Sequence, residues 1–111
     1  MDKEKNALIN NIRGFLGRVG AEEGILFGSR VRGENLENSD VDLIIISDKF
    51  AKKRFVERFY PLHKNWTLPY FLEAFPYTKT ELKKLSGRGV IRDALKNGIR
   101  IKSDGKKRCR K

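Results

Sequence analysis

One cysteine, one histidine and no glutamine occur among the 111 residues. A single cysteine cannot close an internal disulfide, and one Cys with one His cannot assemble a zinc site or a Cys–His dyad. The longest uncharged apolar run, residues 43–46, falls far short of the roughly 20 residues that span a bilayer. The opening MDKEKN is too acidic and polar for a secretory signal. No Gly-Lys-Ser/Thr step is present, so there is no Walker loop. These absences lead to the expectation of a soluble, cytosolic protein with no membrane contact. High charge without glutamine also points toward a thermophilic source.

What is abundant is charge, and its sign is uneven. Charged residues make up 35 % of the chain and apolar residues 39 %, enough for one domain with a modest core. Net charge is +11. Residues 102–111 carry six Lys and Arg against Asp104, a net of +5, which leaves +6 for residues 1–101. The sequence therefore reads as one domain over 1–101 followed by a basic, flexible tail over 102–111. Such a balance favours polyanionic partners, among them nucleotides, RNA and acidic proteins. An RNA contact through the tail would be electrostatic, because the tail has no interleaved aromatics with which to read bases.

Periodicity supplies the elements. Leu8, Ile12, Phe15, Leu16 and Val19 mark one face of a helix that Gly20 stops. Residues 23–27 (EGILF) and 40–47 (DVDLIIIS) read as strands, the second buried on both faces. Residues 50–66 repeat aromatics at helical spacing, with Pro61 expected to kink or divide the helix. Phe55, Phe59 and Trp66 are assigned to the core, and His63 to packing or solvent. Residues 68–75 are expected to form a third strand, with Phe71, Glu73 and Phe75 on one face. Thr78 and Glu81 form a capping box that starts a helix, Gly87 and Gly89 interrupt it, and Val90, Ile91, Ala94 and Leu95 continue a helical face. Gly98 closes that face, and residues 99–101 form a short edge strand. The order predicts an α/β (α+β) domain with a small mixed sheet flanked by helices.

Chemistry concentrates between residues 28 and 73. Asp40 and Asp42 are two apart on a strand, so their carboxylates share a face with Cα atoms about 7 Å apart. Two anions held so close repel, and a hard divalent cation, magnesium or manganese, relieves them. Upstream, Gly28 and Ser29 end a strand and lead into Arg30 and Arg32. That turn offers close backbone approach, a hydroxyl and bidentate donors for phosphate. A lone Glu73 among Tyr, Phe and Leu on a strand is costly to bury without a partner, which favours a role at a metal site.

GSRVRG, the ten residues from Ser29 to the acidic pair, and SDVDLIIIS resemble the signature of the polymerase-beta-like nucleotidyltransferase superfamily. The length resembles its minimal nucleotidyltransferases, the antitoxin half of HEPN/MNT toxin–antitoxin pairs. FVERFYPLHKNW and LEAFPYTKTEL are similar to that group's Arg-containing aromatic helix, third acidic strand and closing turn. Arg58 matches the recurrent Arg, either reaching toward the active site or pairing at the surface near Glu57. The resemblance implies the nucleotidyltransferase fold and a magnesium-dependent transfer of NMP, AMP by preference, from a triphosphate to a hydroxyl. It implies that Gly28, Ser29 and Arg32 bind the nucleotide and that Asp40, Asp42 and Glu73 bind two magnesium ions. It further implies a HEPN-domain partner as acceptor. One departure is that the family carries Asp where Glu73 stands. The extra methylene moves the carboxylate by over ~1 Å, a shift that can cost about a hundredfold in rate. The alternative is therefore an attenuated, nucleotide-binding antitoxin or interaction module that works by stoichiometric contact.

Overall fold

The computed structural model describes residues 2–28 and 40–103. Helix α1 (Asp2–Val19) lays Leu8, Ile12, Phe15 and Leu16 into the core, as the periodicity requires. It ends at Gly20, whose φ of 76° terminates a helix without the strain a Cβ would bring. Strands β1 (Glu23–Phe27) and β2 (Val41–Ile46) pair antiparallel. After two short 3₁₀ turns, Asp48–Lys52 and Phe55–Arg58, comes helix α2 (Phe59–Lys64). Strand β3 (Leu72–Tyr77), helices α3 (Lys79–Leu85) and α4 (Gly89–Asn97) and strand β4 (Ile99–Lys102) follow.

The sheet runs β3-β2-β1-β4. Among the described residues only β2 and β3 pair parallel, and the segment between them is the crossover that a parallel pair demands. Alternation along each strand divides the core in two. Leu26, Val41, Leu43, Ile45 and Leu72 face α1, whereas Ile25, Phe27, Ile44 and Ile46 pack against Leu82, Ile91 and Ala94 of α3 and α4. The apolar run of β2 is thus buried on both faces, as its composition demands. This is the mixed α/β architecture expected from the order of elements.

Three expectations are corrected. The aromatic segment 50–66 is not one helix: it breaks at Lys53 and Arg54, both extended, and becomes two 3₁₀ turns and α2. Pro61 does not divide it, because Pro61 lies in the first turn of α2, where no intrahelical N–H is needed. Strand β3 begins at Leu72 rather than residue 68 and runs through Pro76, which an edge strand tolerates. Lys102, counted with the tail, is the last residue of β4. The remaining tail, residues 104–111, lies outside the described residues.

A half-buried ion pair ties the crossover to the sheet. Arg58 is buried and donates from Nη1 and Nη2 to the two carboxylate oxygens of Glu81, at 2.7 and 3.0 Å. Nη1 also donates to the Pro76 carbonyl at 3.0 Å. Its guanidinium stands 5.5 Å from the ring centroids of both Phe50 and Phe55. Arg58 therefore neither reaches an active site nor pairs near Glu57, whose partner is Arg54 at 3.6 Å. Glu81 closes the Thr78 capping box, accepting the Thr78 N–H at 3.0 Å while its own N–H donates to Thr78 Oγ1 at 3.1 Å. One carboxylate thus holds the start of α3, the edge strand and the crossover together.

The Arg58 hydrogen bonds hold the Glu81 carboxyl at about 2, below its ordinary 4.5. A lowered carboxyl pKa stabilises the fold above the unfolded value, and that gain is lost as pH falls from about 4.5 toward 2. Since the Glu81 side chain is 40 % exposed, about 1–2 kcal/mol is expected, less than full linkage would give. Urea unfolding at pH 6 and pH 3 should show this loss in the wild type and a smaller one in Glu81→Gln.

Candidate active site

Register decides which side chains meet. Phe27 of β1 is opposite Asp42 of β2, and Asp42 is opposite Glu73 of β3, so the three form one row across the sheet. Strands in a sheet are about 4.8 Å apart, which sets Asp42 and Glu73 side by side on one face. The next row, Ile25, Ile44 and Phe75, is apolar and lies under α3 and α4. Phe27 and Phe75, with ring centroids 5.4 Å apart, close the apolar cluster against the acidic row. The face thus changes within one row from packed hydrocarbon to carboxylate.

The carboxylates differ in surroundings. Asp42 is half-buried, while Glu73 and Asp40 are exposed. Asp40 directly precedes β2 and, two residues from Asp42, shares its face where the backbone stays extended. Exposure of Glu73 removes the burial cost that its apolar neighbours in sequence suggested. Its place beside Asp42 in the register now connects it to the site.

Gly28 closes β1 beside this row. Its φ is 85°, and a Cβ there would strike the Asp42 carboxylate. The turn therefore lets backbone come right up to Asp42, which only glycine allows at this φ. Ser29 and Arg32 lie outside the described residues, as do Arg30 and Ser39.

Among the described residues, no three His, Cys, Asp or Glu side chains form a group that could hold a metal on its own. The donor set nevertheless suits magnesium, which is held by one or two carboxylates plus substrate phosphates rather than by an all-protein cage. A shallow hollow lined by Ile46, Leu82, Leu95 and Arg100 lies at the far end of the same face, away from the acidic row.

The aromatic segment departs most from expectation. Trp66 does join the core, edge-on to Phe15 at 5.0 Å, with its Nε1–H donated to the Tyr70 carbonyl at 2.7 Å. Phe55, by contrast, is 46 % exposed, and Phe59 is half-buried. Ring contacts run Tyr77–Phe55–Phe59–His63–Phe71, with successive centroids 6.0, 5.2, 6.4 and 6.3 Å apart. The row flanks β3 and ends at Phe71, whose carbonyl accepts the Val41 N–H at 2.9 Å beside the acidic pair. Helical spacing revealed the aromatics but not their exposure, since the break at Lys53 and Arg54 turns them outward.

Comparison with known proteins bears on the family and the fold. The family model of the nucleotidyltransferase domain matches residues 9–104. The fold is similar to a crystal structure from Sulfolobus solfataricus, of a protein provisionally assigned as a nucleotidyltransferase. The TM-score is 0.56 at 18 % identity, over 74 % of this chain and 77 % of that one. Among curated proteins none gives a significant match.

Packing around Gly28 yields a direct expectation. Gly28→Ala combines a strained φ with a clash against Asp42, and should cost roughly 1–3 kcal/mol. Chemical denaturation would measure it, with Gly87→Ala, where a Cβ meets nothing within 4 Å, as the mild control.

Proposed function

The chain belongs to the nucleotidyltransferase domain family, and on that premise we propose that it transfers AMP from ATP to a hydroxyl with magnesium as cofactor. The observation that carries this reading is the row of Asp42 and Glu73, aligned on parallel strands beside the Gly28 turn. Asp42 and Glu73, with Asp40 two residues before Asp42, would hold magnesium. When bound, the metal would neutralise the triphosphate and the departing pyrophosphate. Gly28 gives the triphosphate close backbone approach, and Ser29 and Arg32 are the proposed donors to its phosphates. Glu73, the more exposed of the in-register pair, accepts the proton of the acceptor hydroxyl. The acceptor oxygen then bonds to the α-phosphorus as the bond to pyrophosphate breaks.

The acceptor we propose is a tyrosine hydroxyl on a HEPN-domain protein, with the chain acting as the cytosolic antitoxin. Support comes from the resemblance of residues 24–82 to minimal nucleotidyltransferases. A second reading rests on Glu73, one methylene longer than the Asp of the family pattern. In that reading the chain binds magnesium and ATP and neutralises its partner by contact, with little turnover.

The test is incubation with magnesium, α-phosphate-labelled ATP and an extract of the native host. The labelled product should vanish in an Asp40→Asn/Asp42→Asn variant, a loss of roughly a hundredfold or more. Equal labelling by wild type and variant would end the catalytic assignment. Binding of magnesium–ATP with no labelled product would select the second reading.

A further inference from the structure

Among the described residues, four of the five large hydrophobic side chains that stand exposed, Phe55, Val56, Tyr60 and Phe71, lie on the crossover between β2 and β3. Phe55 and Phe71 are joined through Phe59 and His63 in one row of ring contacts, and an exposed apolar patch of that kind is a candidate binding surface. Tyr60 is 70 % and Phe71 64 % exposed, so each ring keeps much of its surface open to solvent.

The same segment is strongly basic. Residues 48–64 contain six Lys and Arg against Asp48 and Glu57, a net of +4. Lys52, Lys53 and Lys64 are exposed, and the Lys64 ammonium stands 5.8 Å from the Tyr60 ring centroid. Along the segment cations and rings alternate in sequence, and at Lys64 and Tyr60 they also meet in space.

That mixture discriminates between partners. Protein interfaces are depleted in lysine, because burying an ammonium against protein costs its hydration. A phosphate backbone satisfies lysines at each step, while unpaired bases stack on exposed rings. A second copy of this chain would bring one basic surface against another, with +11 on each partner.

We propose that the aromatic and basic surface of residues 52–71 binds single-stranded nucleic acid, with Tyr60 and Phe71 stacking bases and Lys52, Lys53 and Lys64 holding phosphates. This assignment is independent of the transfer reaction, since none of these side chains belongs to the acidic row.

The experiment is fluorescence anisotropy of the full chain with a labelled 15-nucleotide oligoadenylate, at several salt concentrations. Wild type should bind it in preference to a duplex of the same length. Tyr60→Ala/Phe71→Ala should weaken binding at least about tenfold, as expected for lost stacking. Lys64→Gln should reduce the slope of log affinity against log salt by about 0.7, one phosphate contact. Asp42→Asn should bind like wild type, so failure of the transfer reading leaves this result intact. Circular dichroism of each variant confirms its fold.

Four results would overturn the proposal. They are no binding at low salt, equal affinity for the duplex, and self-association of the wild type that the ring substitutions abolish. The fourth is binding unaffected by the ring substitutions but lost when the five tail cations from Lys106 to Lys111 are replaced by Gln.

Discussion

The burial of Leu72 fixes the register of β3, and the acidic row depends on that register. Leu72 sits fully buried opposite Val41 at the start of β3, facing α1. Side chains alternate along a strand, so a one-residue slip of β3 would carry Leu72 to the other face and drive Glu73 into the α1 core. The slip forfeits about 1.5–3 kcal/mol of leucine burial and adds the larger cost of burying a carboxylate without a partner. Hydrophobic register thus places Glu73 beside Asp42, and the acidic row needs no attraction of its own to assemble. The parallel pairing in turn requires a crossover, and that crossover is where the exposed aromatics and cations reside.

Much of this was legible in the residues. Amphipathic spacing located α1 and α4, the doubly buried β2 showed in its unbroken Leu-Ile run, and Thr78 with Glu81 marked the start of α3. The phase of β3 was also readable, because Glu73, Phe75 and Tyr77 alternate with Leu72, Ala74 and Pro76. Its limits were not. Residues 68–70 look as apolar as a strand, yet Pro69 and the Trp66 bond to the Tyr70 carbonyl keep them outside the ladder. Segment 50–66 misled for a related reason. Aromatics at helical spacing satisfy a helix and a pair of 3₁₀ turns alike, and no local rule foretells that Arg58 will find Glu81 23 residues away.

Within the candidate site, the Asp pair and Gly28 could be picked out by type and spacing. The pairing of Asp42 with Glu73 could not, because it depends on a register between strands 31 residues apart in sequence. Burial cost does not account for Glu73, since the side chain is exposed. What connects it to Asp42 is the apolar packing of its neighbours.

The bond from Arg58 to Pro76 has a further consequence at the rim of the sheet. An edge strand ordinarily offers a row of backbone donors and acceptors on which a foreign chain can template a fifth strand. On β3, Pro76 has no N–H to give, and its carbonyl is already taken by the guanidinium. This stretch of the edge is sealed against templated growth, so the chain can present a sticky aromatic border there without that border seeding fibrils.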